Sequence, residues 1–351
     1  MSLMIDWQTC LIPLRHKRIH NGHLFNVDAA GELRWEVAQA RQLQGSYESS
    51  CQVKSNDLVM LPNCNHEPEY ADTLYLHGNP TKFLQGHNIV GTSDLNQLTL
   101  AWVKAIGKTV GFEVDVFTEK RILSGDYIVK RLDLNAAFEL PSFSDVRAYL
   151  DAQSVKTKTR HGRSTVKKGT VYFGQHSRRW SVKMYSKFEE IIEGKKGHRV
   201  PPQILNSPLV PWTENKVRIE LVLRAAELKK LAGTDDVKAL HLLQIGLQNI
   251  YQNYLGRLDM TANIQLKDEQ LLKLPRKVQG TYSLWSQGHD VRSMMAVATF
   301  YRHRDELKPF GIDISLPYDG ESKSSNVVPL LRVLDAQPCS IPADFQRYIV
   351  H

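Results

Sequence analysis

Hydrophobic and polar residues alternate with the two-residue period of a β-strand at several places in the first 225 residues. Leu33, Trp35 and Val37 predict a short, half-buried strand, and residues 72–77 predict a weaker one. Clearer strands are predicted over residues 127–134, 170–173, 180–185 and 216–223. The turn at residues 174–177 contains a glycine and joins the second and third of these into a hairpin. The N-terminal part of the chain is therefore expected to be rich in strands.

Each of the clearer strands has one face expected in the core and a second, polar face. The core-facing residues of two strands are Trp180, Val182 and Met184, and Val217, Ile219, Leu221 and Leu223. The opposite faces carry Ser181, Lys183 and Tyr185, with Lys187 added if the strand continues, and Arg218 and Glu220. In residues 127–134 the alternation separates Ile128, Leu132 and Leu134 from Val129, Arg131 and Asp133. Charged side chains are thus expected on the face of the sheet that points away from the core.

Helical periodicity appears in three regions. Leu95, Leu98, Trp102 and Ile106 predict a helix after a capping cluster at residues 92–94, and a short helix is predicted over 144–152 with Ser142 or Ser144 as its cap. After Leu223, Gly233 ends one helix, and Thr234 or Asp235 caps a long helix marked by apolar residues from Val237 to Tyr254. Further helices are predicted at about 266–274, 278–287 and 290–307. We therefore expect an α+β protein with a sheet-based domain over 1–225 and a helical domain over 226–351.

The chain has 351 residues, of which 42% are hydrophobic, and this excludes a disordered tail or a small disulfide-stapled domain. The net charge is +8, but residues 152–188 contain no acidic residue and ten basic ones, so subtracting these ten leaves −2 for the rest. The ten are Lys156, Lys158, Arg160, Arg163, Lys167, Lys168, Arg178, Arg179, Lys183 and Lys187. A basic segment on a nearly neutral body indicates a polyanionic partner, most commonly a nucleic acid.

Four scattered cysteines without a CxxC pair indicate reduced thiols and a cytosolic protein. No apolar stretch approaches the roughly 18 to 20 residues of a membrane helix, so no membrane partner is expected.

Three polar motifs on predicted strands are candidates for chemistry: Arg131-x-Asp133, Lys183-x-Tyr185-x-Lys187 and Arg218-x-Glu220. Neighbouring strands would bring these rows together, and two or three carboxylates are suitable ligands for Mg²⁺ or Mn²⁺. A tyrosine beside such an ion and flanked by lysines can attack phosphorus. The same pattern is also typical of a solvated sheet face with cross-strand ion pairs, and the spacing leaves both interpretations open.

Two further features are open in the same way. His87, in the polar cluster 85–88, is more typical of a hydrogen-bonded structural residue than of a ligand. Residues 282–307 predict a helix, a glycine-containing turn and a second helix, as in a helix-turn-helix that would bring Arg302 and Arg304 to bases or phosphates. An ordinary antiparallel helix pair explains the same pattern equally well.

Five segments together resemble, in the same order, the replication initiators of filamentous phages, the gene II protein type that includes the RstA-like proteins of Vibrio phages. These segments are 82–95 (KFLQGHNIVGTSDL), 130–133 (KRLD), 185–190 (YSKFEE), 218–220 (RIE) and 326–330 (NVVPL). The resemblance implies a rolling-circle nuclease-like fold with a ferredoxin-like core, in which an antiparallel sheet has helices on one face. It also implies a site-specific endonuclease that nicks one strand of double-stranded origin DNA and later rejoins the displaced strand.

Carried over to this sequence, the resemblance makes Tyr185 the residue that becomes linked to the 5′-phosphate and Lys187 its companion. Asp133, Glu190 and Glu220 match acidic positions suited to Mg²⁺ or Mn²⁺. Relatives in the wider superfamily bind metal through a His-hydrophobic-His motif that is absent here, which leaves His87 as the one histidine on offer and favours a site made mainly of carboxylates.

The partners implied are origin DNA and its displaced single strand, with a host polymerase extending the free 3′-OH in the host bacterial cytoplasm. The sequence contains no Gly-x-x-x-x-Gly-Lys-Ser/Thr loop, so a host helicase is expected to unwind the duplex. An oligomer on DNA is compatible with this set of partners, and the sequence leaves the oligomeric state open. The alternative is an origin-binding replication protein or repressor without catalytic activity.

Overall fold

The computed structural model describes residues 2–19, 22–56, 69–156, 158–159, 162–163, 165–167, 169–258, 261–263, 274–308, 312–315 and 333–349. The predicted helix at 266–274 and the motif at 326–330 lie almost wholly or wholly outside the described residues.

Strands and helices are numbered along the chain. The strands are β1 (Met4–Lys17), β2 (His23–Val27), β3 (Leu33–Ala38), β4 (Arg41–Gln44), β5 (Ser50–Asn56), β6 (Tyr70–Gly78), β7 (Ile128–Glu139), β8 (Lys158–Thr159), β9 (Gly162–Arg163), β10 (Thr165–Lys167), β11 (Thr170–Phe173), β12 (Trp180–Ser186), β13 (Lys216–Arg224), β14 (Thr261–Asn263), β15 (Val333–Asp335) and β16 (Gln337–Pro338). The first ten helices are α1 (Pro80–Gln85), α2 (Leu95–Val110), α3 (Val116–Leu123), α4 (Phe143–Lys156), α5 (Lys187–Glu193), α6 (Pro202–Leu205), α7 (Leu209–Trp212), α8 (Ala225–Ala232), α9 (Ala239–Ile245) and α10 (Leu247–Leu255). They are followed by helices Arg276–Ser286 and Val297–Leu307 and by a 3₁₀ helix, Ala343–Tyr348.

A ten-stranded antiparallel sheet forms the centre of the molecule. Its order is β10-β11-β12-β13-β7-β1-β6-β5-β4, and β16 also pairs with β7. The predicted hairpin is present, with Val171 opposite Met184. The α+β class, with a large antiparallel sheet, helices packed on it and helices in the C-terminal part, is confirmed.

One face of the sheet carries the main hydrophobic core. The apolar rows of β12 and β13 lie in it as predicted, and α2, α4, α9 and α10 supply most of the helical side. Trp102 of α2 is completely buried, and Asp94 caps this helix by accepting a hydrogen bond from the Gln97 backbone N–H at 3.0 Å. The Tyr251 hydroxyl of α10 donates to the Ile219 carbonyl of β13 at 2.8 Å, which fixes the last helices against the sheet.

A second, smaller cluster contains Ile89, Val90, Ile191, Val200, Leu209, Val210, Phe345 and Ile349. It joins the loop after α1 to α5, α7 and the 3₁₀ helix. Arg218, whose side chain lies on the polar face of β13, bonds the carbonyls of this loop, so the cluster covers part of that face.

Three local predictions are wrong. Leu33 and Trp35 do lie in a strand, but the apolar face of this strand is not buried, because the two residues are 56% and 46% exposed. Val129 lies in the hydrophobic core and not beside Arg131, because the pairing of β1 with β7 shifts register between these two positions. The long helix is interrupted at Gly246 (φ +87°), and Lys238 rather than Thr234 or Asp235 precedes its first segment.

The predicted division at residue 225 stays a prediction. Within the described residues, however, α8, α9 and α10 pack into the same core as the sheet. A separate hydrophobic cluster, with Val278 and Phe300 at its centre, unites residues 274–314. This packing favours a boundary after residue 258.

In the described part of the chain, no helix is long and apolar enough to cross a membrane.

Gly125 is expected to be essential for docking α9 against the sheet. It has φ +76°, and a Cβ at this position would lie 2.7 Å from the Leu240 backbone nitrogen. Gly111, with φ +89° and no atom within 4 Å of its hypothetical Cβ, is a matched control. Gly111→Ala should cost about 1–2 kcal/mol for the left-handed backbone alone, and Gly125→Ala about 1–3 kcal/mol more because the backbones must separate. Urea unfolding measures the stability lost in each variant, and equal losses would contradict the close contact between Gly125 and Leu240.

Candidate active site

The strand register brings the predicted polar motifs together on one face of the sheet. Glu220 lies opposite Lys183 of β12 on one side and opposite Asn135 of β7 on the other. Asp133 lies two residues before Asn135 on the same face of β7. Asp133, Asn135 and Glu220 are each only 1% exposed, so this is a buried charged site and not a solvated sheet face.

Each of the two carboxylates has its own cation. Arg131 binds Asp133 in a bidentate pair, with Nε to Oδ1 at 2.8 Å and Nη2 to Oδ2 at 2.6 Å. Lys183 Nζ lies 2.7 Å from Glu220 Oε1. Burial raises the pKa of Glu220 to about 7, an effect that the charge of Lys183 opposes. Burial likewise raises the pKa of Asp133, against the hydrogen bonds from Arg131.

Asp6 is a third carboxylate of this site, and sequence reasoning missed it. It lies where the pairing of β1 with β7 shifts register, and it is 6% exposed. Its Oδ1 accepts hydrogen bonds from the side-chain amides of Asn79 and Asn88, each at 2.7 Å. The charge of Asp6 also contributes to the raised pKa values of Asp133 and Glu220. A lone acid within the apolar N-terminal run was the available signal.

Three buried side-chain atoms at this point have no hydrogen-bond partner: Glu220 Oε2, Asn135 Oδ1 and Asn135 Nδ2. Because buried polar atoms are almost always paired, these neighbouring atoms indicate a place for a ligand. In the described ranges, no three His, Cys, Asp or Glu side chains are arranged to hold a metal ion by themselves. The oxygen-only donors suit Mg²⁺ or Mn²⁺ if Asn135 and phosphate oxygens complete the ligand set.

Tyr185 lies near the end of β12, and Lys187 begins α5. Ser186 caps that helix by accepting from the Glu189 backbone N–H at 3.2 Å, so the strand does not continue through Lys187 as its spacing suggested. Lys187 nevertheless stays at the site, because it is 5% exposed and paired with Glu190. Glu190 also accepts from His198 Nδ1 at 2.8 Å.

Burial dominates the electrostatics of Tyr185 and Lys187. It raises the pKa of Tyr185 well above its ordinary value, and the charge of Glu190 adds to the effect. Burial lowers the pKa of Lys187, which the charge of Glu190 opposes. Tyr185 is therefore a neutral phenol, and Lys187, two residues further along the chain, gives up its proton more readily than a surface lysine does. A pocket of about 320 Å³ opens at this point and is lined partly by Tyr172, Lys183, Tyr185, Glu189, Glu190 and His198.

Arg218 holds the loop after α1 over the site, and His87 lies buried within that loop. Arg218 donates to the carbonyls of Asn88 and Ile89, both at 2.5 Å. His87 is 1% exposed, and its Nδ1 accepts weakly from the Ile89 N–H at 3.4 Å. Burial and the charges of Lys187 and Arg218 lower the pKa of His87 to about 4. Of the four predicted metal ligands, only Asp133 and Glu220 come together, whereas Glu190 and His87 lie near Lys187.

The predicted DNA-binding residues divide into three groups. The side chains of Lys156, Lys158, Arg160, Arg163, Lys167 and Lys168 lie outside the described residues. Arg178 is exposed. Arg179 and Lys183 are paired with Glu227 at 2.6 Å and Glu220 at 2.7 Å.

The predicted helix-turn-helix departs from its expected form. Residues 287–296 separate the two helices, which is longer than the three- or four-residue turn of that motif. Arg302 is exposed, but Arg304 forms a bidentate pair with Asp313, both contacts at 2.6 Å, so its guanidinium is already engaged.

The fold and the site define the class: an α+β protein whose antiparallel sheet carries a buried cluster of acids, lysines and a tyrosine. A family model for the N-terminal part of the phage replication-associated protein encoded by gene II matches residues 4–252, and the corresponding C-terminal model matches residues 266–349. The replication-associated protein of this type from Enterobacteria phage I2-2 is 41% identical over 346 residues, which cover 99% of this chain and 97% of that protein. The chain belongs to this family, that of the filamentous phage gene II proteins.

Glu220 should make the stability of the protein depend on pH. Because its pKa in the folded protein, about 7, lies above its ordinary value of 4.5, its contribution is fully present below about pH 4.5 and is lost as the pH rises through about 7. Glu220→Gln should remove this slope, so the variant should gain stability relative to wild type by up to about 3 kcal/mol across that window. Urea unfolding at several pH values measures the slope.

Glu139→Gln is the control for this experiment. Glu139 lies on β7, and its pKa is lowered by hydrogen bonds from Asn215 and Lys216, so its variant should keep the wild-type slope above pH 5. If the free energies of unfolding of wild type and Glu220→Gln changed in parallel with pH, the raised pKa of Glu220 would be contradicted.

Proposed function

We propose that the protein initiates rolling-circle replication of phage DNA by nicking one strand of its double-stranded origin and later rejoining the displaced strand. The observation that carries this proposal is the position of Tyr185, which lines an open pocket, with Lys187 two residues further along the chain and the buried acids on adjacent strands of the same sheet face. Membership of the family of phage replication-associated gene II proteins supports the same conclusion.

In the proposed reaction Tyr185 Oη attacks the scissile phosphorus while the P–O3′ bond breaks. The phenolic proton passes to the Lys187 amine in its neutral form, which the buried position of this side chain favours. The departing O3′ takes up a proton from water and becomes the free 3′-OH, and the 5′-phosphate stays linked to Tyr185. The reverse reaction rejoins a strand without ATP, because the phosphotyrosine bond retains the energy of the phosphodiester.

Mg²⁺ or Mn²⁺ is proposed as the ion that this cluster would hold. Glu220 and Asn135 would hold it through their unpaired oxygens, with Asp6 and Asp133 beside them. The ion would neutralise charge on the phosphoryl oxygens. Lys183 lies within reach of the same region and adds a fixed positive charge beside the Tyr185 ring, 5.5 Å from its centroid.

The proposed setting is the cytoplasm of the host bacterium. The 3′-OH would prime a host polymerase, a host helicase would open the duplex, and several copies would assemble on the origin. The competing proposal is an origin-binding protein that does not cut. It shares the basic segment but gives no role to the tyrosine in the pocket.

Tyr185→Phe should abolish nicking of supercoiled origin DNA and the covalent protein–DNA product, and leave origin binding unchanged. The phenolic hydroxyl is the only group removed, so binding and folding should persist. Gel analysis of nicked circles and of protein that remains attached to the 5′ end after denaturation measures the effect. Tyr172→Phe, in the same pocket, is the matched control and should nick normally. Loss of the adduct in Tyr172→Phe alone would transfer the nucleophile to that residue, and normal nicking by both variants would reject a tyrosine in this pocket as nucleophile.

Metal binding should depend on the acids of the sheet and not on Glu190. Electron paramagnetic resonance of Mn²⁺ separates bound from free ion and needs no catalysis. In a Tyr185→Phe background with a single-stranded origin oligonucleotide, Asp6→Asn and Glu220→Gln should each weaken Mn²⁺ binding about tenfold or more. Glu190→Gln should change it little, because both Glu190 oxygens already face Lys187 and His198. A loss confined to Glu190→Gln would place the ion there instead.

A further inference from the structure

Tyr172 is the aromatic residue of the pocket that the proposed chemistry does not use. It lies on β11 directly opposite Lys183, and both side chains line the pocket that contains Tyr185. Its side chain is partly exposed. Among the described residues it makes no hydrogen bond, ion pair or ring contact that would give it a structural role. The Tyr172 ring, which lines the same pocket as the proposed nucleophile Tyr185, is therefore available to a ligand.

The pocket has opposite charges at different points of its lining. Lys183 and Tyr185 belong to the sheet, whereas α5 contributes Glu189 and Glu193. These two acids are held in place by ion pairs, Glu189 with Arg147 at 2.7 Å and Glu193 with Lys195. A phosphate is attracted by Lys183 and repelled by the acids. A nucleobase with an exocyclic amino group can instead donate hydrogen bonds to a carboxylate.

The size of the pocket limits the ligand. About 320 Å³ is at the small end of the range for ligand sites, which suits one nucleotide and not a base pair. Bases stack on aromatic side chains when they are unpaired, because stacking requires an exposed base face.

We propose that Tyr172 is the stacking residue of a subsite that holds one unpaired nucleotide next to the scissile phosphate. The inference rests on the proposed function in one respect, the position of the scissile phosphate at Tyr185. The ring of Tyr172 stacks on the base, Lys183 faces the backbone, and the acids of α5 favour a base with an exocyclic amine. The enzyme therefore binds its cleavage site with at least this nucleotide flipped out or melted.

Binding of short single-stranded oligonucleotides that span the nick tests this subsite. All proteins carry Tyr185→Phe, so that no strand is cut and the measurement does not depend on the nucleophile. Tyr172→Ala should weaken binding about tenfold or more, in line with the loss of one stacked base, and Tyr172→Phe should bind within about twofold of its parent. Tyr301→Ala removes an exposed tyrosine outside the pocket and should have no effect.

Oligonucleotides with an abasic site identify the nucleotide. An abasic site at one of the two positions flanking the nick should weaken binding to the parent protein and remove the difference between parent and Tyr172→Ala. A full Tyr172→Ala defect with both abasic substrates, or no defect with any substrate, would overturn the subsite. An equal defect in Tyr172→Phe would also overturn stacking, since it would assign the effect to the hydroxyl. The nicking proposal is tested separately, by the covalent-adduct assay that compares wild type with Tyr185→Phe.

Discussion

The pairing of β13 with β7 on one side and β12 on the other determines where the groups of these three strands lie in the candidate active site. The apolar row of β13, from Val217 to Leu223, lies in the core, so Arg218 and Glu220 must point to the opposite face of the sheet. A slip of one residue would exchange the two faces completely. The hydrophobic core therefore fixes which residues of β13 face the candidate active site. The hydrogen bond from the Tyr251 hydroxyl to the Ile219 carbonyl further holds this strand in place.

Burying so much charge requires compensation within the cluster itself. The acidic side chains are Asp6, Asp133, Glu190 and Glu220, and the basic side chains are Arg131, Lys183, Lys187 and Arg218, so the two kinds match in number. An ion pair of this kind adds little net stability, because desolvation offsets the attraction. Its consequence is instead functional: a divalent cation entering alone would add two positive charges to the cluster, and a phosphodiester entering with it would reduce this excess to one.

The strands and their faces could be predicted because alternation is a local property, and the pairing of polar rows followed from it. The placement of Asp6 could not be predicted: a lone acid in an apolar run is visible, but its neighbours Ile5 and Trp7 give no sign of the register shift that brings it to the acids. The alternation left open whether the strand continues to Lys187, and the sequence does hold a signal that it ends: a serine followed three residues later by a glutamate is a capping sequence, here Ser186 and Glu189. The break at Gly246, where the backbone adopts φ +87°, was not predicted either, because the hydrophobic period continues from α9 into α10.

The basic surplus of residues 152–188 has two physical meanings that the sequence could not separate. Arg179, Lys183 and Lys187 are paired with Glu227, Glu220 and Glu190. Their charges are largely neutralised at short range, so they contribute little to attraction of DNA over a Debye length. That attraction must come from the remaining members, of which Arg178 is exposed. Counting charges along the chain thus overestimates the electric field that can attract DNA, because part of the same segment is engaged in ion pairs with acids of β13, α5 and α8.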